Sequence, residues 1–373
     1  MLEKNKNLLF LCGYKSLYGG NFVPCLMALE DKLKTYNVNC VYAFPKEARV
    51  RPWIEFLESE GRQITFLDFD LSNKKFNAEL TRVVSDFQIN YVYSHFSPIL
   101  KVELFAKQHK DIRVFIHIHS DFSAGKKTIK ATLKTFMMYK LFSGQVSFFS
   151  VSKDFVRYNP QKISYVPNCL ADRRVTTTHV GGRVIRDQNH VGNSEVLCEI
   201  FGWSPIVKGV DVAVNAIKAL NEEKNVDIKL AIICGREMSI KRMKEWIALN
   251  TRCSGEEDYL LYWDPQEDVF SFHEAADILL APSRSEGFPY SLLEMLSLGK
   301  KCVVSDIPGM KWAEEYKTVF PFSTENSDGC IKAICDAIQS DCACDEDVAK
   351  SIKKNYSIDV WTDTIITKMN HTV

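Results

Sequence analysis

The 373-residue sequence lacks any apolar run approaching the roughly 20 residues that a membrane span needs. It also lacks net charge. Its 47 lysines and arginines balance 47 aspartates and glutamates, so no global field argues for a nucleic-acid partner. Its twelve cysteines include no paired Cys-x2-Cys arrangement, and the late cluster of Cys330, Cys335, Cys342 and Cys344 does not have zinc-site spacing. Cys12, Cys198, Cys234 and Cys302 instead sit inside apolar, strand-like runs, where a free thiol behaves as a small hydrophobe. That usage points to a reducing cytoplasm, not to a disulfide framework. The opening Met-Leu-Glu-Lys-Asn-Lys-Asn leads into an apolar strand without a signal-peptide cleavage pattern.

What is present is alternation. Short apolar runs recur at Leu8–Gly13, Cys40–Phe44, Ile64–Asp68, Tyr91–Ser94, Val114–His119 and Val146–Val151, separated by polar intervals of helical length. The pattern restarts at Glu195–Gly202, Ile228–Gly235, Tyr259–Trp263, Ile278–Ala281 and Cys302–Ser305. Such alternation predicts parallel sheets with crossover helices, and the length suits two domains, each able to bury its own core. The expected division is residues 1–170 and 195–355, each a Rossmann-like domain, joined by a polar, extended linker over 171–194 without apolar periodicity. An amphipathic tail, 356–373, closes the chain.

The most informative stretch is Ser283-Arg-Ser-Glu-Gly-Phe-Pro-Tyr-Ser-Leu-Leu-Glu294. It follows an apolar strand, turns at Gly-Phe-Pro and starts a helix near Tyr290. Unpartnered N–H groups at such a helix start suit a phosphate. Glu286 and Glu294 flank that end, and carboxylates accept hydroxyl hydrogen bonds well. Together they suit a ligand carrying both phosphates and sugars.

Pro-Ser-x-x-Glu-Gly-Phe-Pro-x-Ser-x-x-Glu, followed by Gly-x-x-Val-Val-Ser-Asp, resembles the signature of family 4 retaining glycosyltransferases. The resemblance implies the two-domain B-type (GT-B) fold, with the two domains facing across a cleft and a C-terminal helix returning to the first domain. It implies that Glu286 faces the donor sugar and Glu294 holds the nucleotide ribose. Gly287, Phe288, Tyr290 and Ser291 would complete the donor-binding turn. Lys208, in Lys-Gly-x-Asp211, matches the lysine that holds the diphosphate, while the arginine expected beside it is replaced by Trp203. A bidentate phosphate partner is therefore missing, and Arg284 is a candidate substitute.

In the first half, Gly19-Gly20 resembles the family's glycine loop, although a plain turn fits equally well. His119 in His117-Ile-His-Ser-Asp121 matches the strand-end histidine that reaches the donor sugar and phosphate. Val151-Ser-Lys and Tyr165-Val-Pro-Asn168 also match family elements, with Cys169 in place of a glycine. Asp68-Phe-Asp70 has the Asp-x-Asp form that A-type transferases use for a divalent ion, but it stands in a chain carrying the rival signature, so no metal or other cofactor is expected.

Ile129, Leu133, Phe136, Met137 and Leu141 share a helical face flanked by Lys126, Lys127, Lys130 and Lys134. Such a helix, within 125–142, can lie on an anionic membrane surface. A domain helix with a solvated lysine edge fits the same residues. The expected partners are a nucleotide-sugar donor and a glycan or lipid-linked acceptor, with no nucleic acid, in the cytoplasm or at the inner face of the membrane. Retention is expected without a covalent enzyme intermediate, a donor phosphate oxygen taking the acceptor's proton. A non-catalytic nucleotide-sugar-binding subunit and a B-type epimerase are the alternatives.

Overall fold

The computed structural model describes residues 5–120, 146–157, 161–171, 179–223, 226–341 and 344–371. The lysine-flanked segment 125–142 lies outside them. The chain divides into two compact units, Met1–Thr176 with Tyr356–Val373, and Thr177–Asn355. No described helix is long and apolar enough to cross a membrane.

The first unit carries strands β1 (Lys6–Cys12), β2 (Val38–Pro45), β3 (Gln63–Leu67), β4 (Ile89–His95), β5 (Arg113–Ile118), β6 (Val146–Ser150) and β7 (Ile163–Tyr165). They form one parallel sheet in the order β3-β2-β1-β4-β5-β6-β7. The second unit repeats the plan with β8 (Val196–Phe201), β9 (Ile228–Ile233), β10 (Leu260–Trp263), β11 (Ile278–Ala281), β12 (Lys301–Ser305) and β13 (Val319–Phe322), ordered β10-β9-β8-β11-β12-β13. Both sheets reverse direction at their centre, between β1 and β4 and between β8 and β11, which is the doubly wound Rossmann order.

Central strands read as unbroken apolar runs because helices cover both faces. Leu8 to Cys12 on β1 are all buried, and their side chains divide between two cores. One of these also holds Trp361, Ile365 and Met369, spaced by one helical turn on the Ile358–His371 helix, with Leu26, Leu29 and Leu33 of the Phe22–Lys34 helix. A Lys32–Asp363 ion pair of 2.9 Å spans the same two helices.

Two local expectations need correction. Strands β7 and β13 are absent from the apolar pattern because they are short edge elements of 3 and 4 residues. The stretch 171–194 contains a helix, Gly182–Gln188, where an extended linker is expected. Its apolar signal is weak because few of its side chains bury, while Arg186 supplies the anchor through Ala275 O, Gly192 O and Glu195 O, each at 2.8 Å.

Glu103, on the Ile99–Gln108 helix, is buried with neither carboxylate oxygen hydrogen-bonded. Burial raises its pKa from 4.5 to about 8, against a weaker pull from Lys107. The unfolded chain releases this proton at lower pH than the folded one, so stability falls as pH rises between those values. Glu103→Gln is expected to stabilise the protein at pH 7, by less than the full shift because the amide is also buried without partners. A urea midpoint that rises at pH 7 but not at pH 4 checks this.

Candidate active site

In the second unit the candidate residues gather at the carboxyl ends of β8 and β11, the switch point where such sheets bind ligands. The loop after β8 passes Gly202 and Trp203 into a short helix, Pro205–Lys208, which stops at Gly209 in the left-handed conformation, φ 68°. A side chain at 209 would meet the Pro282 carbonyl at 2.1 Å, so glycine lets this turn close on the loop after β11. That closure brings Lys208 Nζ to 2.6 Å from Glu286 Oε1, with both side chains largely buried. Ser283 Oγ donates to the same carboxylate oxygen at 3.0 Å.

The Tyr290–Ser297 helix has Pro289 at its N-cap, and no side chain of that cap residue bonds the helix start. Phe288 is buried and stacks on Trp312, centroids 4.2 Å apart. Its ring anchors the turn, and only its backbone is left to serve a ligand. Gly287 is buried, while Tyr290 and Ser291 are half-buried at the helix start.

Glu294 is buried, and its Oε2 lies 3.0 Å from His273 Nε2. His273 Nδ1 lies 2.5 Å from Glu199 Oε1. Burial alone would lower the imidazole's pKa, but Glu199 first and then Glu294 outweigh it and raise the value to about 9. Neither His273 nor Glu199 is anticipated from the sequence. The available signal was Glu199 itself, an acid inside the apolar run of a central parallel strand, where a carboxylate needs a partner.

Arg284 does not replace the missing arginine. Its guanidinium grips Asp211 in a fork, 2.9 and 2.7 Å, and donates to Ile206 O and Glu325. Those partners direct the fork at its own scaffold. Trp203 is 56% exposed, with the Lys208 ammonium 5.2 Å from its ring centroid.

In the first unit, His95 at the end of β4 and His117 in β5 are register partners. His95 Nδ1 lies 3.0 Å from His119 Nε2. His119 also stacks on Phe96 at 4.1 Å and on His117 at 4.5 Å. Phe96 holds a left-handed backbone, φ 53°, a strained state for a bulky residue. Burial pushes all three imidazoles down, His117 to about 4, so they are neutral at pH 7. One ring nitrogen from each lies within 4.8 Å of the others, a donor set of the kind zinc takes. Both nitrogens of His117 are already engaged, by Tyr93 Oη at 2.7 Å and Val166 O at 3.1 Å. A cation could therefore enter only by displacing a buried hydrogen bond.

His117, His119, Ser94 and Phe96 line a cavity of about 260 Å³ at these strand ends. Gly19 is buried against Val23 and Trp53, and Gly20 supplies the left-handed turn, φ 54°, before the Phe22–Lys34 helix. Asp68 accepts from the Asp70 backbone N–H at 3.0 Å and so serves its own turn.

Residues 200–340 match a family model described as Glycosyl transferases group 1. No curated protein matches the sequence. Similar solved structures include a glycosyltransferase from Rickettsia africae, with TM-score 0.75, 14% identity, and 99% of this chain and 98% of that one covered. HepE of Anabaena, solved with UDP and glucose, gives 0.75 and 13%, covering 98% and 99%. Sucrose-phosphate synthase of Thermosynechococcus elongatus gives 0.76 and 12%, covering 99% and 98%. The chain thus has the fold of the B-type glycosyltransferases, built from two Rossmann-like parallel-sheet domains.

Proposed function

We propose that the protein is a retaining, metal-independent glycosyltransferase that moves a sugar from a nucleotide diphosphate sugar to a glycan or lipid-linked acceptor. The observation that carries the reading is the buried Lys208–Glu286 pair beside a helix start without a side-chain cap, within the segment that matches the glycosyltransferase family model.

Lys208 and the amides at Gly287, Tyr290 and Ser291 would neutralise the diphosphate as charge grows on the leaving group. Glu294 would hold the ribose hydroxyls, and Glu286 would accept from the transferred sugar while Lys208 turns toward phosphate. His119 would orient that sugar. A donor phosphate oxygen would take the acceptor's proton, leaving no covalent enzyme intermediate. The HepE complexes with UDP and UDP-glucose make uridine donors the first to try. One relative in fold, WaaG, takes part in lipopolysaccharide biosynthesis, which makes a surface glycan the first acceptor to try.

The test is thermal stabilisation by UDP, GDP and ADP and their sugars, without added metal, for wild type and Glu294→Ala. Ligand at 100 times its dissociation constant should stabilise by about 2.7 kcal/mol. The expected result is a shift for one nucleotide class that Glu294→Ala largely abolishes. A shift that Glu294→Ala leaves intact would refute the ribose assignment. Trp203 favours a second reading, a non-catalytic donor-binding subunit, because Arg284 is committed to Asp211 and adds no second cation at the diphosphate. Donor binding without turnover, rescued by a partner transferase, would establish it.

A further inference from the structure

Glu294 belongs to a buried chain of three titratable groups. Glu199 on β8 and His273 on the Val269–Ala275 helix are fully buried, and Glu294 on the Tyr290–Ser297 helix is 4% exposed. The imidazole touches a carboxylate at each nitrogen, Glu199 at 2.5 Å and Glu294 at 3.0 Å. Neutral imidazole has one N–H and can donate to only one of them. An imidazolium donates to both carboxylates at once, whereas a neutral ring could satisfy both only if one carboxyl were protonated, and the two carboxylates in turn stabilise a buried imidazolium.

Glu199 reaches the ring from the central strand, and the ring reaches Glu294 from the next helix. Cys302, on β12 one strand beyond β11, presents a buried thiol that burial and then Glu199 push up, so it stays neutral. Phe201 and Phe270 pack their rings against the imidazole.

We propose that His273 is a positioning residue for the nucleotide site: bridging Glu199 and Glu294 as an imidazolium, it keeps Glu294 aimed at the ribose, so that Glu199, without touching ligand, sets an alkaline limit on nucleotide affinity. The inference rests on the donor-site reading of Glu294. The raised His273 value, about 9, agrees with the geometry. Below that pH both bonds stand. As pH rises through it, the ring loses a donor and one carboxylate faces a bare lone pair.

The experiment measures UDP binding to the full chain by calorimetry from pH 6.5 to 10, with GDP and ADP in parallel. The proteins compared are wild type, Glu199→Gln, His273→Gln and Glu294→Gln. Wild-type affinity should stay level to about pH 8.5 and fall above it. Glu199→Gln removes the larger of the two carboxylate influences, so the fall should begin at least one pH unit lower. The nucleotide's own ionisation is common to both proteins and cancels in that difference. His273→Gln should bind at least tenfold more weakly at pH 7.

A buried pair that served folding alone would change stability and leave the midpoint where it is. If Glu294→Gln weakens binding while Glu199→Gln shares the wild-type midpoint, the inference is overturned and the donor site stands. If Glu294→Gln binds as wild type does, the donor-site reading falls. NMR titration of the His273 ring in wild type needs no variant to fold. A ring still charged at pH 8 supports the proposal, and one neutral at pH 7 refutes it.

Discussion

Lys208→Ala is expected to cut sugar transfer sharply and to destabilise the second unit in the same step. The ammonium lies 2.6 Å from Glu286 Oε1, with side-chain exposures of 11% and 13%. Deleting one member of such a pair leaves the other charge desolvated and unmatched, at a cost of roughly 3–5 kcal/mol. Ser283 Oγ still donates to Glu286 and holds the cost near the lower end. On the proposed donor site, losing a preorganised cation where leaving-group charge would develop should lower turnover by about 10²–10³-fold. The two effects separate in the double variant Lys208→Met with Glu286→Gln, which carries no stranded charge. Its urea midpoint should recover most of the loss, while its turnover should not recover. A double variant as active as wild type would remove the pair from the mechanism.

Much of this site was legible as a string because its parts lie within one strand–turn–helix unit. Ser283 to Glu294 read as a strand end, a turn and a helix start, and the structure has β11 ending at Ala281 and the helix beginning at Tyr290. The parallel sheets follow from the same periodicity, since apolar runs separated by helix-length intervals call for crossover helices, whereas the strand order came only with the structure. Pairings between distant elements were not legible. Glu199 and His273 are 74 residues apart, and Arg284 and Asp211 are 73 apart, so nothing local to either partner names the other. A lone histidine in Phe-His-Glu-Ala and a lone acid in Val-Leu-Cys-Glu-Ile-Phe are unremarkable until the sheet sets them side by side. Arg284 shows the reverse error. As a cation next to the signature it invited a phosphate role, yet its fork is satisfied by Asp211.

The histidines of the first unit add a different lesson about what a strand-end motif fixes. His119 was read as a single functional residue, but it is part of a stack with Phe96 and His117 and a ring–ring hydrogen bond with His95. Its orientation is therefore set by neighbours on two strands and by a strained Phe96 backbone. Such a ring is pre-aimed before any ligand arrives. It also stays neutral at pH 7, because burial lowers its pKa. In the proposed role, a neutral His119 would therefore meet the sugar through a hydrogen bond and would not pair with phosphate as a cation.

Gly309→Ala is expected to displace the Glu286 loop without touching a single functional side chain. Gly309 lies in the 3-10 turn Pro308–Ala313, packed directly on that loop. A Cβ there would stand 2.0 Å from the Glu286 carbonyl oxygen, 2.6 Å from its carbon and 3.0 Å from the Gly287 oxygen. All three are backbone atoms, so no rotamer change relieves the clash, and the turn and the loop must separate. The shift would pull Glu286 from Lys208 and carry the Gly287 amide away from the helix start. Overpacking of this kind costs typically 1–3 kcal/mol. A misplacement near 1 Å lowers turnover by roughly 10²-fold, because catalytic groups act only in near-attack geometry. Gly192→Ala is the matched control, since its Cβ would meet only the flexible end of Glu195 at 3.2 Å. Gly309→Ala should therefore lose nucleotide affinity and turnover while keeping its far-ultraviolet circular dichroism, and Gly192→Ala should keep all three. Equal activity in the two variants would mean that the Glu286 loop does not depend on its contact with this turn.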